Sequence, residues 1–522
     1  MKLADYVAEF LAAKGVCTVF GMSGGAAVHL FDSISRTNNI DYVCVQHEQA
    51  AAMAADGYAR ETDTIGVALT TSGPGATNLL TGVCCSYYDS IPTLMLTGQV
   101  ASFRIKIDPA LRQKGFQETD IVAMAGPITK KATQLESPEL IRRELEECFW
   151  ISNEGRPGPV LLDIPDDFQR SEIDPSCLEG FNPPKHESVL GNEQTDAISE
   201  LVRYLSVSQR PVFILGAGLK KIHKVEGLLQ WLESWDVPFV LSWGGKSLAP
   251  TDHKLNAGLV GICGARSANY AVQNADLIVA LGSRLSQNVT GGKTEWFGRE
   301  AKLVVVDIDS AELAKFDELC LDVHQINADA YEVINRVTMT DNTLPKQWSK
   351  WRSKIEKWKS KYDSIPPSRR EKKHTVDAVK FSHLLSQACK PGERCVVDTG
   401  GTLTWFCRGF SVNKGQQIHS AWNFTPMGYA LPASIGVSKA AQGNRVICVI
   451  GDGGLLLCLP ELATAARHQL PIKLFLYDNQ CHGIQKHTLE TWLEGRYVGV
   501  DEQSGLGFPD FTQIAEAFGW SH

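Results

Sequence analysis

The apolar run Val446-Ile447-Cys448-Val449-Ile450 stops on Gly451-Asp452-Gly453-Gly454, and this junction constrains the fold more than any other stretch of the chain. A continuous, largely β-branched run without polar alternation reads as a strand buried on both faces, as in the interior of a parallel sheet. The next segments read as a helix from Leu462 to Gln469 and a second strand from Ile472 to Tyr477. The chain therefore returns to the same sheet edge and delivers Asn479 beside Asp452, 27 positions on (479 − 452). Ligands of open parallel sheets bind at the carboxyl ends of the strands. Glycines let a backbone approach a phosphate and aim N–H groups at it, while Asp452 supplies a hard oxygen for a divalent ion. Magnesium suits such a place, because it takes oxygen ligands and is commonly held by one or two protein side chains together with a phosphate. Gly-Asp-Gly alone is also an ordinary turn; the strand–helix–strand context and the Asn479-Gln480 ending are what point to a diphosphate and a metal.

Strands and helices alternate along the whole chain, which predicts an α/β protein of parallel sheets covered by helices. At 522 residues the chain is long enough for three domains. A first domain is expected over residues 1–180, closing with the buried strand Pro159–Ile164. A polar, proline-bearing linker over Asp174–Glu193 follows, then a middle domain over 190–340 that opens with Pro211-Val212-Phe213-Ile214-Leu215-Gly216. The basic segment Lys346–Lys373, bearing Trp348, Trp351 and Trp358, reads as a solvated helical face over an inter-domain seam. A third domain is expected over 370–522. The sequence stops at Phe518-Gly519-Trp520-Ser521-His522 with that domain incomplete by the expected pattern, as if a strand should come next.

A net charge of −8 and a pI near 5.9 argue against a nucleic-acid partner, whose binding domain is usually basic. No apolar run reaches membrane-spanning length, and Met1-Lys2-Leu3-Ala4-Asp5 opens an amphipathic helix rather than a signal peptide, so the cytoplasm is the expected compartment. Fourteen cysteines without CxxC spacing fit reduced, mostly buried thiols, including the helical pair Cys84-Cys85.

The first domain carries a second constellation. Gln46-His47-Glu48-Gln49 precedes an alanine-rich helix running through Arg60, so Glu48 reads on its own as an acid in a helix's first turn, favoured by the macrodipole. Its company is more specific. Val67–Thr71 leads into Ser72-Gly73-Pro74-Gly75-Ala76-Thr77-Asn78, then a helix, then Asp89-Ser90-Ile91-Pro92; Gly24-Gly25 and Gly115-Phe116-Gln117-Glu118-Thr119-Asp120 flank these. Together with the Asp452–Asn479 motif, this series resembles the thiamine-diphosphate (ThDP) enzymes, and over nearly the whole first domain the acetolactate synthases in particular.

The resemblance implies three doubly wound parallel-sheet domains: pyrimidine-binding, central and diphosphate-binding. It implies that Asp452, Asn479 and the main-chain carbonyl of Cys481 hold magnesium. Glu48 would meet the aminopyrimidine nitrogen N1′, with Phe116 and Gln117 near the reacting carbonyl. Gly24, Gly25, Asn78, Gly400, Gly401, Thr402, Thr425, Gly451, Gly453 and Gly454 would line the cofactor. Met427, in Thr425-Pro426-Met427-Gly428-Tyr429, falls where the family wedges an apolar side chain beneath the cofactor to bend it. Gly264–Ala271, Gly282-Ser283-Arg284 and Val289-Thr290-Gly291 resemble the flavin-holding central domain, making FAD an optional further ligand, although Ser286-Gln287-Asn288 stands where the family has Asp-Asp-Arg.

Departures concentrate at the acceptor end. Thr488 replaces a tryptophan of the acetolactate synthases and Asp166 replaces a lysine, which would widen and repolarise the acceptor site. Arg284 matches an arginine able to hold an acceptor carboxylate. The stretch Cys481–His487 reads as a loop whose polar groups His482, Gln485 and His487 line a different acceptor pocket. The paired histidines of pyruvate-decarboxylase-type enzymes are absent around Phe116-Gln117-Glu118. The activity implied is that of a carboligase, which decarboxylates pyruvate or a similar 2-oxo acid and transfers the two-carbon unit to a second carbonyl compound. A 2-oxo acid decarboxylase and a catalytically inactive binding subunit are the alternatives. Because the family completes its active site across a subunit interface, a homo-oligomer is implied.

Overall fold

The computed structural model describes residues 1–108, 110–184, 191–220, 225–319, 322–340, 348–362 and 375–522. Three sheets organise it. The first has six parallel strands in the order Asp41–Cys44, Thr18–Gly21, Gly66–Thr70, Thr93–Gln99, Val160–Pro165, Lys131–Gln134. The second, also six-stranded and parallel, runs Val323–Asn327, Lys302–Asp307, Leu277–Leu281, Pro211–Leu215, Phe239–Leu241, Asn256–Leu259. The third has four strands, Gln417–His419, Arg394–Val397, Val446–Gly451 and Ile472–Tyr477, with the last three paired in parallel. Central strands such as Gly66–Thr70, Thr93–Gln99 and Leu277–Leu281 are buried along their entire length, as uninterrupted apolar runs require when helices cover both faces.

The chain divides into two compact units. One comprises Met1–Lys185, Arg394–Thr402 and His419–His522 and contains the first sheet and most of the third. The other comprises His186–Glu393 and Leu403–Ile418 and is built on the second sheet.

Within the first unit, helix Glu48–Thr62 packs against helix Ala430–Ala440 at a distance only glycine allows. A Cβ placed on Gly57 would lie 2.4 Å from the Ala433 carbonyl oxygen, and one on Gly436 would lie 1.9 Å from that of Ala54. The contact is flanked by a buried polar network. The Arg60 guanidinium donates to Asp56 at 2.6 Å and to Asp89 at 2.9 Å, with the three side chains 6%, 0% and 3% exposed. The Tyr429 hydroxyl and Ser86 hydroxyl donate to Asp56, and the Trp422 N–H donates to Asp89. At the other end Glu61 pairs with Arg394 and His419.

Residues 346–347 and 363–373 of the tryptophan-bearing basic segment lie outside the described residues; its helix Ser349–Lys361, read as a solvated face, packs on the second unit's own helix Arg266–Gln273. There Trp348 and Trp351 are buried and donate their indole N–H groups to the carbonyls of Ser208 and Pro211. The final residues form a helix, Phe511–Ala517, and Trp520 then folds back to donate to the Leu462 carbonyl. Among the described residues all thirteen cysteines are free and none pairs in a disulfide, with Cys85 buried and Cys84 partly so. No described helix is long and apolar enough to cross a membrane.

Gly436→Ala should lower stability by roughly 1–3 kcal/mol or more, because the added methyl meets backbone on a rigid neighbour. Gly227→Ala, on the exposed face of helix Val225–Trp235 with nothing within 4 Å of the new carbon, should be neutral or stabilise by about 0.5–1 kcal/mol. Denaturant midpoints of the two variants measure the difference.

Candidate cofactor site

Strand Val446–Gly451 runs in register with Ile472–Tyr477, Gly451 opposite Tyr477, so both strands release their next residues at one edge. Asp452 opens a short helix, Asp452–Leu457, rather than remaining in a loop, and its carboxylate faces the second strand's exit. Asp452 Oδ2 accepts the N–H of Asn479 at 3.0 Å and that of Gln480 at 2.5 Å, while Oδ1 accepts from Gly453 at 2.7 Å. Burial holds the Asp452 carboxyl above its ordinary pKa, the three N–H donors opposing it. A divalent cation would reverse that balance by stabilising the carboxylate.

The side-chain amide of Asn479 decides whether these groups fit such a cation. One of its terminal atoms lies 3.2 Å from Asp452 Oδ2 and 2.8 Å from the Cys481 carbonyl oxygen. With nitrogen in that position the amide bridges both oxygens by hydrogen bonds. With oxygen there, it stands from each of these two oxygens at a spacing close to the roughly 2.9 Å expected between adjacent ligands of an octahedral magnesium ion. A carboxylate, an amide and a carbonyl are hard donors suited to magnesium. Among the described residues no cluster of three His, Cys, Asp or Glu side chains suggests a softer metal.

The turn Gly451–Gly454 is lined closely. A Cβ on Gly453 would lie 2.7 Å from His482 Nε2 and 3.0 Å from Met427 Cε; one on Gly451 would lie 3.1 Å from Thr402 Oγ1, and one on Gly454 would lie 3.1 Å from Asp398 Oδ1. Gly400, at φ +73°, faces open space, with only Ile484 within 4 Å, and Gly401 starts the helix Gly401–Gly409. Thr425 holds a left-handed backbone, φ 51°, two residues before Met427. Beneath these turns lies Asp398, buried, its carboxylate accepting N–H groups from Thr399, Gly428 and Ala430 at 2.8, 3.2 and 3.0 Å. Burial outweighs those donors and pushes its pKa up to about 6.

The other sequence-derived residues gather at the carboxyl edge of the first sheet. Glu48, 9% exposed, is the first residue of its helix and accepts a hydrogen bond from Asn78 Nδ2 at 2.9 Å. His47 caps that helix, its Nδ1 accepting from the Gln49 N–H. Gly24 lies against Thr71, and Gly25 opens a short 3₁₀ turn with free space at its Cβ position. Gln117 takes a left-handed backbone, φ 63°, with its carbonyl oxygen 2.8 Å from where a Cβ on Gly73 would lie; Phe116 is 85% exposed. Next in sequence, Glu118 gathers the N–H groups of Lys106, Lys114 and Gly115, shaping the loop that carries Phe116 and Gln117.

Of the expected acceptor residues, His482, Gln485 and His487 do not form one cluster. The stretch read as a loop is the start of helix Gly483–Trp492, with His482 at its N-cap. Helical spacing separates the three polar side chains. His482 turns to Gly453 and so belongs with the glycine turn, Gln485 is exposed, and His487 points outward beside Glu490 at 3.8 Å. Arg284 lies in the second unit, where its guanidinium pairs with Glu312 at 3.2 Å. Sequence reading missed the anchoring work of Asp398 and Glu118; a lone acid directly after an apolar strand is the signal that could have found Asp398, while Glu118 lies in a loop that carries no such signal.

Comparison with known proteins gives the family of the chain. Three domain models of thiamine pyrophosphate enzymes match the chain: the N-terminal TPP binding domain over residues 1–124, the central domain over 198–336 and the C-terminal TPP binding domain over 398–522. The chain belongs to the thiamine pyrophosphate enzymes and is itself a ThDP-dependent enzyme. Within that family it is acetolactate synthase-like. It is 33% identical to a probable acetolactate synthase large subunit of Methanocaldococcus jannaschii, across 99% of this chain and 86% of that protein. It is 32% identical to the acetolactate synthase isozyme 2 large subunit of Escherichia coli K12, across 99% and 90%. To the acetolactate synthase large subunit of Lactococcus lactis it is 31% identical, across 99% and 87%.

Asp398 sets an expected pH dependence. Its folded pKa lies above the unfolded value, so the folded state binds the extra proton between about pH 4 and 6, and stability is lost as pH rises through that window. Two pH units correspond to roughly 3 kcal/mol. Asp398→Asn should flatten the stability–pH curve between pH 4 and 6 relative to the unaltered protein, as followed by denaturant unfolding; identical slopes would contradict this.

Proposed function

We propose that this enzyme is a magnesium-dependent carboligase that decarboxylates pyruvate or a similar 2-oxo acid and joins the two-carbon unit to a second carbonyl compound. The observation that carries the reading is the approach of the Asn479 amide to both the Asp452 and the Cys481 oxygens, beside a glycine turn with Met427 and Thr402 close by. Its support from relatives is likeness to acetolactate synthases over almost the entire chain.

When bound, thiamine diphosphate would supply the carbanion chemistry needed to decarboxylate an oxo acid and transfer its two-carbon unit. The protein's part is positioning and proton control. Asp452, Asn479 and the Cys481 carbonyl would hold the metal, and Gly451–Gly454 with Gly400–Thr402 would receive the diphosphate. Met427, fixed between the left-handed Thr425 and Gly428, supplies the apolar wedge. Glu48 would hold or release a proton at its carboxylate, which Asn78 orients, toward the pyrimidine of the cofactor. Gln117, set by its left-handed backbone at the rim of the first sheet, offers an amide to the reacting carbonyl.

Thr488 and Asp166, where acetolactate synthases have a tryptophan and a lysine, favour an acceptor larger than a second oxo acid, such as an oxo sugar. Beside Gln117, Phe103, Ile107 and Phe116 are 64%, 95% and 85% exposed, which supports a second copy of the chain covering this rim and completing the site.

Incubation with pyruvate and a panel of aldehyde, oxo acid and oxo sugar acceptors, followed by mass spectrometry, tests the reaction. A carbon–carbon-bonded product is expected, whereas acetaldehyde equal to the pyruvate consumed would refute ligation, and acetolactate as the main product would refute the larger acceptor. Glu48→Gln should keep cofactor affinity and lose about 10²–10⁴-fold in kcat. Asp452→Ala should lose magnesium-dependent ThDP binding in titration calorimetry. Light scattering should give a dimer or tetramer for the active form.

A further inference from the structure

We infer that Glu461 is a positioning residue: its buried carboxylate fixes the backbone immediately before Glu48 and so sets where the Glu48 side chain stands. The inference rests on the proposed role of Glu48. Glu461 opens helix Glu461–Arg467, which follows the Asp452 helix in the third sheet's layer, and it is 1% exposed. Its Oε1 accepts the N–H of Gln46 at 3.1 Å and that of His47 at 3.1 Å, 415 and 414 residues away in sequence. Its other oxygen, Oε2, accepts the Thr464 hydroxyl at 2.7 Å, which fixes the rotation of the carboxylate.

These two amides lead the chain from strand Asp41–Cys44 into the helix that Glu48 begins. Both precede the helix and have no carbonyl of its turns to bond. A carboxylate bonded to two N–H groups is a strong and directional anchor, because each bond is charge-assisted. His47, held by one of them, is also the helix cap. Glu48 is the next residue, so displacement of His47 moves its side chain directly. Neither Glu461 nor Thr464 is among the residues placed around the cofactor. Their link to chemistry runs through Gln46 and His47, and it ties the Glu48 end of the first sheet to the layer that carries Asp452.

Glu461→Gln removes the charge and presents an amide that can accept only on one side; Thr464→Val keeps the charge and frees its rotation. Three measurements on the full chain separate the possibilities: amide hydrogen exchange over residues 46–50 in the cofactor-free protein, ThDP affinity by titration calorimetry with magnesium, and the rate of C2–H exchange of bound ThDP by NMR. For Glu461→Gln, amide exchange should rise at least tenfold and C2–H exchange should slow at least tenfold, with ThDP affinity changed less than threefold. Thr464→Val should shift both rates in the same directions by about threefold, and it decides alone if the Gln variant does not fold. Unaltered amide exchange, or unaltered C2–H exchange in a variant whose amides have loosened, overturns the proposal. Failure of the unaltered protein to bind ThDP would instead refute the cofactor reading, while the amide measurement would still report the anchor.

Discussion

The close approach of helices Glu48–Thr62 and Ala430–Ala440 is the constraint on which the first unit depends. Gly57 and Gly436 each face a backbone carbonyl of the opposite helix at a spacing no side chain could share. Such contact brings the Asp56–Arg60–Asp89 network and Tyr429 into a dry environment, where opening one partner would strand a charge at a cost of about 3–5 kcal/mol. The same helix carries Glu48 at one end and Glu61 at the other, so its placement sets the position of the acid at the first sheet's rim.

A single device recurs around that frame. Buried carboxylates collect backbone N–H groups from segments distant in sequence: Asp398 for the turns at Thr399, Gly428 and Ala430, Glu118 for the loop before Gln117, Glu461 for Gln46 and His47, and Asp452 for Asn479 and Gln480. Turn N–H groups have no partner in a sheet or helix, and leaving them unsatisfied inside the protein would cost about 1–3 kcal/mol apiece. One carboxylate that accepts several of them satisfies the turns and fixes their shape together. Rigid turns of this kind are what a diphosphate and a metal need, since neither site can rearrange cheaply once the ligand arrives.

The elements were legible because their signals are local. The runs at Val446 and Ile472 are strands of the third sheet within one residue of their expected ends, and the alanine-rich segment after His47 is a helix. The meeting of Asp452 and Asn479 was legible for the same reason: strand ends in register place them side by side. The acceptor side was not. Cys481–His487 lacks glycine and proline apart from Gly483 and could pass for a loop, yet helix formation from Gly483 carries His487 away from His482 and out to solvent. The tryptophan-bearing helix was misplaced because its basic face is visible in sequence while the carbonyls of Ser208 and Pro211, which its indoles seek, are about 140 residues away.

By itself, then, the sequence determined the α/β class, the parallel strands, the glycine turn and the nearness of Asp452 to Asn479, all of which follow from periodicity and from residues a few dozen positions apart. Only the tertiary structure decided that Glu461 grips the chain before Glu48, that Asp398 lies under the glycine turn, and that Arg284 pairs with Glu312. A buried carboxylate gives the same one-letter signal whichever backbone it meets. Its partner is chosen by the packing of helices and sheets, which depends on contacts between residues hundreds of positions apart.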